Sequence, residues 1–344
     1  MSSGKEIKAA LAQAGVWGQA VACSDGDALY ITNESVSQSI EHLPDDSAGQ
    51  DFYTASDQGL ITCGGAMGAY LRYQSLGVLL ALALGSAEAP NAQGGSGYLH
   101  RLVMTGGLEG LFGTLAVAKG FSVHEFASVK VDGLTIEGSA GQPVTVSFDL
   151  ICDGLSLNVD TGANTLAGMT ALAAPVRGER VLFRQAAFRL NDASGAALSS
   201  GDAIHPSRFS LSLKRGLTGD HLAGNNDKIS EPVTGSFPEV SLTLEFPTYT
   251  SDTYLSDLGS HTQKKLSIVF TGVEIESGVN FGLSLAMPHL VITNAEAAVD
   301  KAGKIAHPVT LDVLAPASEV AGMSGLLAPL ALELTNTRDA ALLA

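Results

Sequence analysis

The sequence predicts a mainly β protein, and three observations support this fold class. Of the 344 residues, 39 are glycine and 1 is tryptophan, which favours many turns. Only 16% are charged, which excludes a coiled coil. Several segments alternate apolar and polar residues, the pattern of a strand with one buried face. Because 45% of the residues are hydrophobic, the chain can bury a core and is not disordered.

The first part of the chain contains candidate helices and strands in mixed order. Residues 5–14 are good helix formers and predict a short helix. Tyr70–Leu84 has apolar residues close to helical spacing, and Gly85 is a natural stop. The strands and loop predicted here are Leu29–Thr32, an acidic polar loop over Glu34–Asp57, Gly59–Gly65, Gly113–Val117, Ser128–Glu137 and Val144–Leu150.

The second part repeats this character. Ser251–Gln263 predicts a short helix that begins near Asp252, and Arg215–Pro232 is a long polar loop. The predicted strands are Phe209–Lys214, Glu239–Phe246, Lys265–Phe270, Phe281–Met287, Leu290–Thr293 and Val309–Val313.

The order of elements suggests two halves, 1–175 and 176–344, separated by the Ala-, Gly- and Thr-rich stretch 159–175. Each half runs strand, long polar loop, strand, helix and further strands. Leu134-Thr135-Ile136 followed by Pro143-Val144-Thr145 recurs as Leu290-Val291-Ile292 followed by Pro308-Val309-Thr310. We therefore expect a possible tandem duplication, although alternating strands recur in any β protein.

The charge balance constrains the partners. A net charge of −16 argues against a nucleic-acid-binding surface, which needs concentrated Lys and Arg. Nucleic acid could still pass such a surface without being held. The longest apolar run, Leu76–Leu84, is too short to span a bilayer, so no membrane role is expected.

Catalytic and cofactor motifs are absent from the sequence. It has no nucleophile elbow, Walker loop, zinc-protease motif or dinucleotide fingerprint. Asp25-Gly26-Asp27 lacks the remaining ligands of a calcium loop and is interpreted as a surface turn. Cys23, Cys63 and Cys152 are widely spaced and are expected to be reduced thiols. We expect no enzyme activity, no cofactor and no metal.

Acidic residues in the two polar loops are the only candidate site residues. They are Glu41, Asp45, Asp46 and Asp51 in the first loop, and Asp220 and Asp227 in the second. Such residues either belong to solvated loops or contact a neighbouring subunit.

Three stretches resemble a known family. Residues 15–21 (Gly-Val-Trp-Gly-Gln-Ala-Val), 30–36 (Tyr-Ile-Thr-Asn-Glu-Ser-Val) and 131–137 (Val-Asp-Gly-Leu-Thr-Ile-Glu) are similar to the tail tube (major tail) proteins of long-tailed bacteriophages. The resemblance covers residues 15–157 and, beyond them, only the layout of elements. Asn33-Glu34-Ser35 departs slightly from the family pattern, in which a hydroxyl residue is usual at the first position.

The resemblance implies a β-sandwich or barrel with a flanking helix, the tail-tube fold, and the repeated order of elements implies two tandem copies of it. It implies a structural virion protein whose copies form stacked rings around a channel that DNA leaves through without specific binding. The candidate acidic loops would contact adjacent rings, and an acidic channel would repel phosphate. Tape-measure, tail terminator and baseplate proteins would be further partners, in the virion tail and, during assembly, in the host cytoplasm.

Ring composition follows from the number of folds per chain. Rings of this family present six tube folds, so a chain with two folds would form a trimer with pseudo-sixfold symmetry. This trimeric pseudo-hexamer is favoured over a hexamer of single folds, in which the second half would be a decoration domain.

Two alternatives remain open from the sequence. One is another self-assembling β protein, such as a capsid decoration protein or the tube subunit of a contractile injection system. The other is a carbohydrate-binding β-sandwich, which would need clustered aromatic residues, whereas the single tryptophan, Trp17, lies in the N-terminal stretch.

Overall fold

The computed structural model describes residues 4–176, 178–224, 227–299 and 302–343. Strands make up 46% of the structure and helices 9%, so the predicted mainly β class is correct. In the described part, hydrogen bonding links nineteen strands into one antiparallel network, and two further strands form a separate pair.

The first half contains eleven strands and two helices in the described residues. The strands are β1 Lys8–Ala14, β2 Ala28–Leu29, β3 Asn33–Glu34, β4 Ser37–Pro44, β5 Ser56–Tyr70, β6 Asn91–Ala92, β7 Tyr98–Val103, β8 Phe112–Ala118, β9 Val123–Ser139, β10 Thr145–Cys152 and β11 Ser156–Asn158. The helices are α1 Gly77–Leu84 and α2 Leu166–Ala171.

The second half contains ten strands and one helix in the described residues. The strands are β12 Ala186–Asp192, β13 Ala203–Ile204, β14 Arg208–Lys214, β15 Leu217–Thr218, β16 Val233–Thr234, β17 Glu239–Phe246, β18 Lys264–Glu276, β19 Val279–Asn294, β20 His307–Leu314 and β21 Ala331–Asn336. The helix is α3 Thr253–Ser260.

The two halves share one order of strand pairing. In the first half neighbouring strands follow the order β2, β1, β8, β9, β10, β5 and then β3 with β4. In the second half the order is β13, β12, β18, β19, β20, β17, β14. Each half also places one helix, α1 or α3, between the corresponding strands of the chain.

Two ladders join the halves. β14 pairs with residues 133–139 of β9, and β21 pairs with β7 on one side and β19 on the other. The main hydrophobic core correspondingly includes residues of both halves, such as Phe148 and Phe209. The helix α1 lies in this shared core and has seven of its eight residues buried, whereas α3 has none.

The predicted helix over residues 5–14 is wrong, because this segment forms β1. The strand lies between β2 and β8, and Ala10 packs with Ala116 and with Met169 of α2 in a small second core. Its alanines are therefore selected by the narrow space on a strand buried on both faces. Tertiary packing overrides their helix propensity.

The predicted polar loop over Glu34–Asp57 is also wrong in part, because nearly half of it is strand. β4 pairs with the first part of β5, so the segment forms a long hairpin whose turn covers residues 45–55. Because β4 is exposed on both faces, it lacks the alternation that marks a half-buried strand, and the sequence pattern therefore did not predict it.

Several predicted bounds needed smaller corrections. The helix predicted from Tyr70 begins at Gly77, and Gly85 ends it in the left-handed conformation. The strand predicted over Leu29–Thr32 is replaced by the short β2 and β3. The two strands predicted over Phe281–Met287 and Leu290–Thr293 are one continuous strand, β19.

Candidate functional site

A single row of residues crosses eight strands and both halves. Neighbours in this row are paired directly, so their side chains share one face of the sheet. The row runs in order through Val291, Asp312, Ser241, Ser212, Thr135, Ser147, Gly68 and Asn33, on strands β19, β20, β17, β14, β9, β10, β5 and β3. The pair Ser212 and Thr135 is the junction between the halves.

The face of this eight-strand sheet that carries the row is polar, and we call it the polar face. Besides Ser, Thr and Asn, it carries five carboxylates and two basic residues, and its larger apolar or aromatic members are Val291, Leu314 and Tyr70. These charged residues are Glu137, Asp149, Glu239, Glu245, Asp312, Arg208 and Lys214, and none is buried. Arg208 lies 3.5 Å from Glu137 and 3.4 Å from Glu245. The charged groups of this face therefore sum to a net negative charge.

The alternate residues on the same strands form the opposite, apolar face. Leu211, Ile136 and Val146 are at most 2% exposed and belong to the main core. The strict alternation found in the sequence thus separates a core face from an exposed polar face.

Four of the six candidate acidic residues lie on the first hairpin. Glu41 lies on β4 and accepts a 3.4 Å hydrogen bond from the backbone N–H of Leu60. Asp45 begins the turn, where the hydroxyl and backbone N–H of Ser47 donate to it and lower its pKa. Asp46 and Asp51 follow in the exposed turn.

The same turn exposes two aromatic side chains. Phe52 is 83% exposed and Tyr53 is 71% exposed, and both border a shallow indentation with Asp46 and Asp51. Such aromatic side chains at a protruding turn are typical of a protein–protein contact.

The other two candidate residues lie in the second loop, whose residues 225–226 are outside the described ones. This loop leaves its own half and lies on the first half of the same chain. The backbone carbonyl of Asp227 accepts a 2.9 Å hydrogen bond from Ile61 of β5, and that of Asp220 accepts from Ser230 within the loop. The carbonyl of Ile229 accepts from the indole of Trp17 at 3.1 Å. Asp227 therefore lies on the residue of β5 next to Leu60, to which Glu41 is bonded, whereas Asp45, Asp46 and Asp51 lie in the turn. Contact of these residues with an adjacent ring stays a prediction.

Buried basic residues fix the junction between the halves. Arg215, 1% exposed, donates from its guanidinium to the carbonyls of Ala83, Leu84 and Thr105 at 2.8, 2.7 and 2.6 Å. The carbonyls of Ala83 and Leu84 lie in the last turn of α1, where a cation is favourable. Burial lowers the pKa of Arg215 to about 10, so it remains protonated at neutral pH.

Lys130 forms a second buried contact across the junction. Its Nζ donates to the carbonyls of Leu108 and Pro232 and lies 2.6 Å from the carboxylate of Glu231. Because Pro232 and Glu231 belong to the second loop, this lysine of β9 holds that loop on the first half.

Metal-ligand groups and thiols in the described residues point to no further site. The described part of the chain contains no group of three or more His, Cys, Asp or Glu able to hold a metal. Cys23, Cys63 and Cys152 are free thiols, and burial raises the pKa of Cys23 to about 12. None of the helices in the described ranges has the length and apolar character needed to cross a membrane.

Comparison with known proteins identifies the family. A family model described as phage tail tube protein matches residues 4–315, which is most of the chain and includes both halves. The chain belongs to the phage tail tube protein family. A search of curated proteins returned no match.

A repeated motif that none of the sequence-based expectations included marks corresponding points of this tail tube chain. Residues 24–29 (Ser-Asp-Gly-Asp-Ala-Leu) recur at 199–204 (Ser-Ser-Gly-Asp-Ala-Ile). In each copy the serine backbone N–H and hydroxyl donate to one aspartate oxygen, at 2.7 and 2.8 Å in the first and 2.7 and 2.9 Å in the second. Each copy leads into a two-residue strand paired with the first strand of its half. A search for short repeats would have found this signal.

A carboxylate at the end of β18 makes another contact between the halves of this tail tube chain. Glu276 accepts hydrogen bonds from the backbone N–H groups of Ser96, Gly97 and Gly95 at 2.9, 3.1 and 3.1 Å. These bonds, that of Ser96 first, lower the pKa of Glu276 below its ordinary value of 4.5. Its stabilising effect is therefore present above pH 4.5 and is lost as the pH falls through the lowered pKa.

We expect Glu276→Gln to lower the urea midpoint of unfolding at pH 7, because a neutral amide accepts these hydrogen bonds more weakly. The difference from the unaltered protein should shrink as the pH is lowered toward 3. Urea titrations at several pH values measure it, with Glu274→Gln as a matched control on the same strand, since Glu274 accepts a 3.0 Å hydrogen bond from Gly278 within its own hairpin and does not bridge the halves through it. A difference that stays constant from pH 7 to pH 3 would contradict this assignment.

Proposed function

We propose that this chain is the subunit of a phage tail tube and self-assembles into stacked rings that enclose a channel for DNA. The observation that carries the proposal, beyond family membership, is the eight-strand sheet with its exposed polar face and two short open edges, at β3 and at residues 291–294 of β19. A sheet of this kind has unpaired backbone groups at both ends, which favours pairing with further copies.

We propose further that the two halves are tandem copies of one tube fold. The shared pairing order, the repeated Ser-x-Gly-Asp-Ala motif and the matching closing hairpins support this. Three chains would then supply twenty-four strands, and a closed barrel of that number would be about 45–50 Å across at the backbone. The rings would be trimeric pseudo-hexamers rather than hexamers.

The polar face is the proposed wall of the channel. Its hydroxyl groups and excess of carboxylates offer no cluster of cations to hold phosphate, so DNA would slide along it. The apolar face, by contrast, is covered by the core and by α1. In the same proposal the first hairpin contacts the adjacent ring, and tape-measure, terminator and baseplate proteins bind the tube in the virion tail after assembly in the host cytoplasm.

We expect purified protein to form rings or tubes in negative-stain images, and native mass spectrometry to give the mass of one ring. Three chains of 35.3 kDa make about 106 kDa, whereas six make about 212 kDa. A ring of 212 kDa would overturn the trimer but not the tube. Protein that stays monomeric at every concentration and salt tested would contradict the tube itself. Discs without stacking would favour a decoration protein instead.

A further inference from the structure

The row that crosses the polar face ends on two open edges. At one end, β3 pairs in the described residues only with β5, through Asn33 and Glu34. At the other end, the ladder between β19 and β18 stops at Leu290. From Val291 onward β19 pairs with β20 alone in the described part of the chain.

The junction inside the chain shows how two such edges join. Ser212 of β14 is opposite Thr135 of β9, in an antiparallel ladder that covers residues 208–214 and 133–139. Across the sheet, Ser212 occupies in the second half the place that Asn33 occupies in the first, three pairings away from Val291 and Thr135 respectively. The strand directions also agree, because seven successive antiparallel pairings leave β3 opposite in direction to β19.

We infer that β3 of one copy pairs with the free edge of β19 of a second copy, with Asn33 opposite Val291, as Ser212 is opposite Thr135 within the chain. This inference rests on the proposed function and specifies the joint between subunits. Backbone hydrogen bonding supplies the contact, as in strand addition to a sheet edge. The occupant is a second copy because the only pattern that continues the row without a change of order is the beginning of the same row.

Local features limit the length of the joint. The ladder between β18 and β19 extends to Leu290 of β19, whereas the ladder between β8 and β9 stops at Val129 of β9. Residues 291–294 are therefore the free stretch of β19, and a bulge at residue 293 shifts the register beyond Ile292. We expect the regular part of the joint to comprise Asn33 opposite Val291 and Thr32 opposite Ile292.

Exposure of the two helices agrees with a missing neighbour. In the first half, α1 is covered partly by Arg215, which directly follows β14. Its counterpart α3 has no fully buried residue, and Leu255 is 37% exposed. A copy placed with its β3 on β19 would bring the residues after β3 toward α3, as those after β14 lie on α1.

Cysteine cross-linking tests the joint. Asn33→Cys and Val291→Cys are made in separate chains, mixed before assembly and treated with dibromobimane, which bridges thiols a few ångström apart. Paired residues of neighbouring strands lie about 5 Å apart between Cβ atoms. We expect a product that shifts from 35.3 kDa to about 71 kDa in the mixture and in neither variant alone. Native thiols interfere little, because Cys63 and Cys152 are buried and the pKa of Cys23 is raised.

Two further arms separate the possible failures. Ser212→Cys with Thr135→Cys in one chain reports the internal joint, and should give a cross-linked monomer. Val291→Cys mixed with Ser156→Cys should give no dimer, because Ser156 is an exposed residue of β11, which is not a strand of the row. Rings that form without the 71 kDa product, while the internal pair is linked, would overturn this joint and leave the tube standing. Failure to form rings at all, with unaltered protein, would overturn the proposed function.

Discussion

Replacing Arg215 by alanine is expected to lower the free energy of unfolding by about 3–5 kcal/mol, because the buried carbonyls of Ala83 and Leu84 and the partly buried carbonyl of Thr105 lose this donor and a large side chain leaves a cavity. The guanidinium reaches Ala83 and Leu84 in the first half from a position just after β14 in the second. The loss should therefore weaken the junction between the halves as well as the end of α1.

Arg208→Ala is the matched control for this change. Arg208 lies on β14 seven residues earlier, but its side chain is 47% exposed and its carboxylate partners are at the surface. Exposed ion pairs of this kind contribute about 0–1 kcal/mol. Urea unfolding of both variants measures the two effects, and a loss at Arg215 no larger than that at Arg208 would contradict the role assigned to the buried guanidinium.

Deletion of residues 42–50 is expected to abolish tube formation while leaving soluble subunits. The deleted residues belong to the turn and to the end of β4, which pairs with β5. The folded core should thus persist, because none of its residues is removed. Sedimentation and electron microscopy of the variant measure the loss of polymer.

A point substitution refines the same prediction. Phe52→Ser removes an aromatic residue that is 83% exposed in the hairpin turn, and Phe121→Ser removes one that is 75% exposed in the turn between β8 and β9. Aromatic contacts at the centre of an interface are worth about 2 kcal/mol or more, so Phe52→Ser should raise the concentration needed for assembly at least tenfold. Tubes of normal length from the deletion variant, or equal effects of the two substitutions, would contradict a role of this turn in assembly.

The sequence predicted the buried parts of the fold better than the exposed parts. Val144–Leu150 and Glu239–Phe246 have one core face and one polar face, so their alternation reports their strands directly. The first hairpin is exposed on both faces, and β1 is buried on both, so neither alternates. The structure of these segments is determined by the strands with which they pair, and the local sequence pattern carries no information about those partners.

The candidate site was predicted only in part, for a related reason. The acidic residues of the first hairpin were found because they cluster along the chain. The polar face was missed because its members, such as Asp149 and Asp312, are distant in sequence and come to share one face of the sheet only through strand pairing. Arg215 was interpreted only as the first residue of a polar loop, and nothing in its neighbours reveals that it is buried against α1.

The difference between the two helices has a consequence for the subunit before it meets its partners. The eight residues of α1 are all apolar or glycine, whereas α3 contains Ser256, Asp257 and Ser260. A helix with the composition of α1 at the position of α3 would expose a hydrophobic patch to water and promote aggregation. The composition of α3 instead suits a helix that is exposed to water in the free subunit before assembly. The order of the halves therefore bears on solubility. The more apolar helix is covered as soon as the chain has folded, and the more polar helix stays exposed until the subunit assembles.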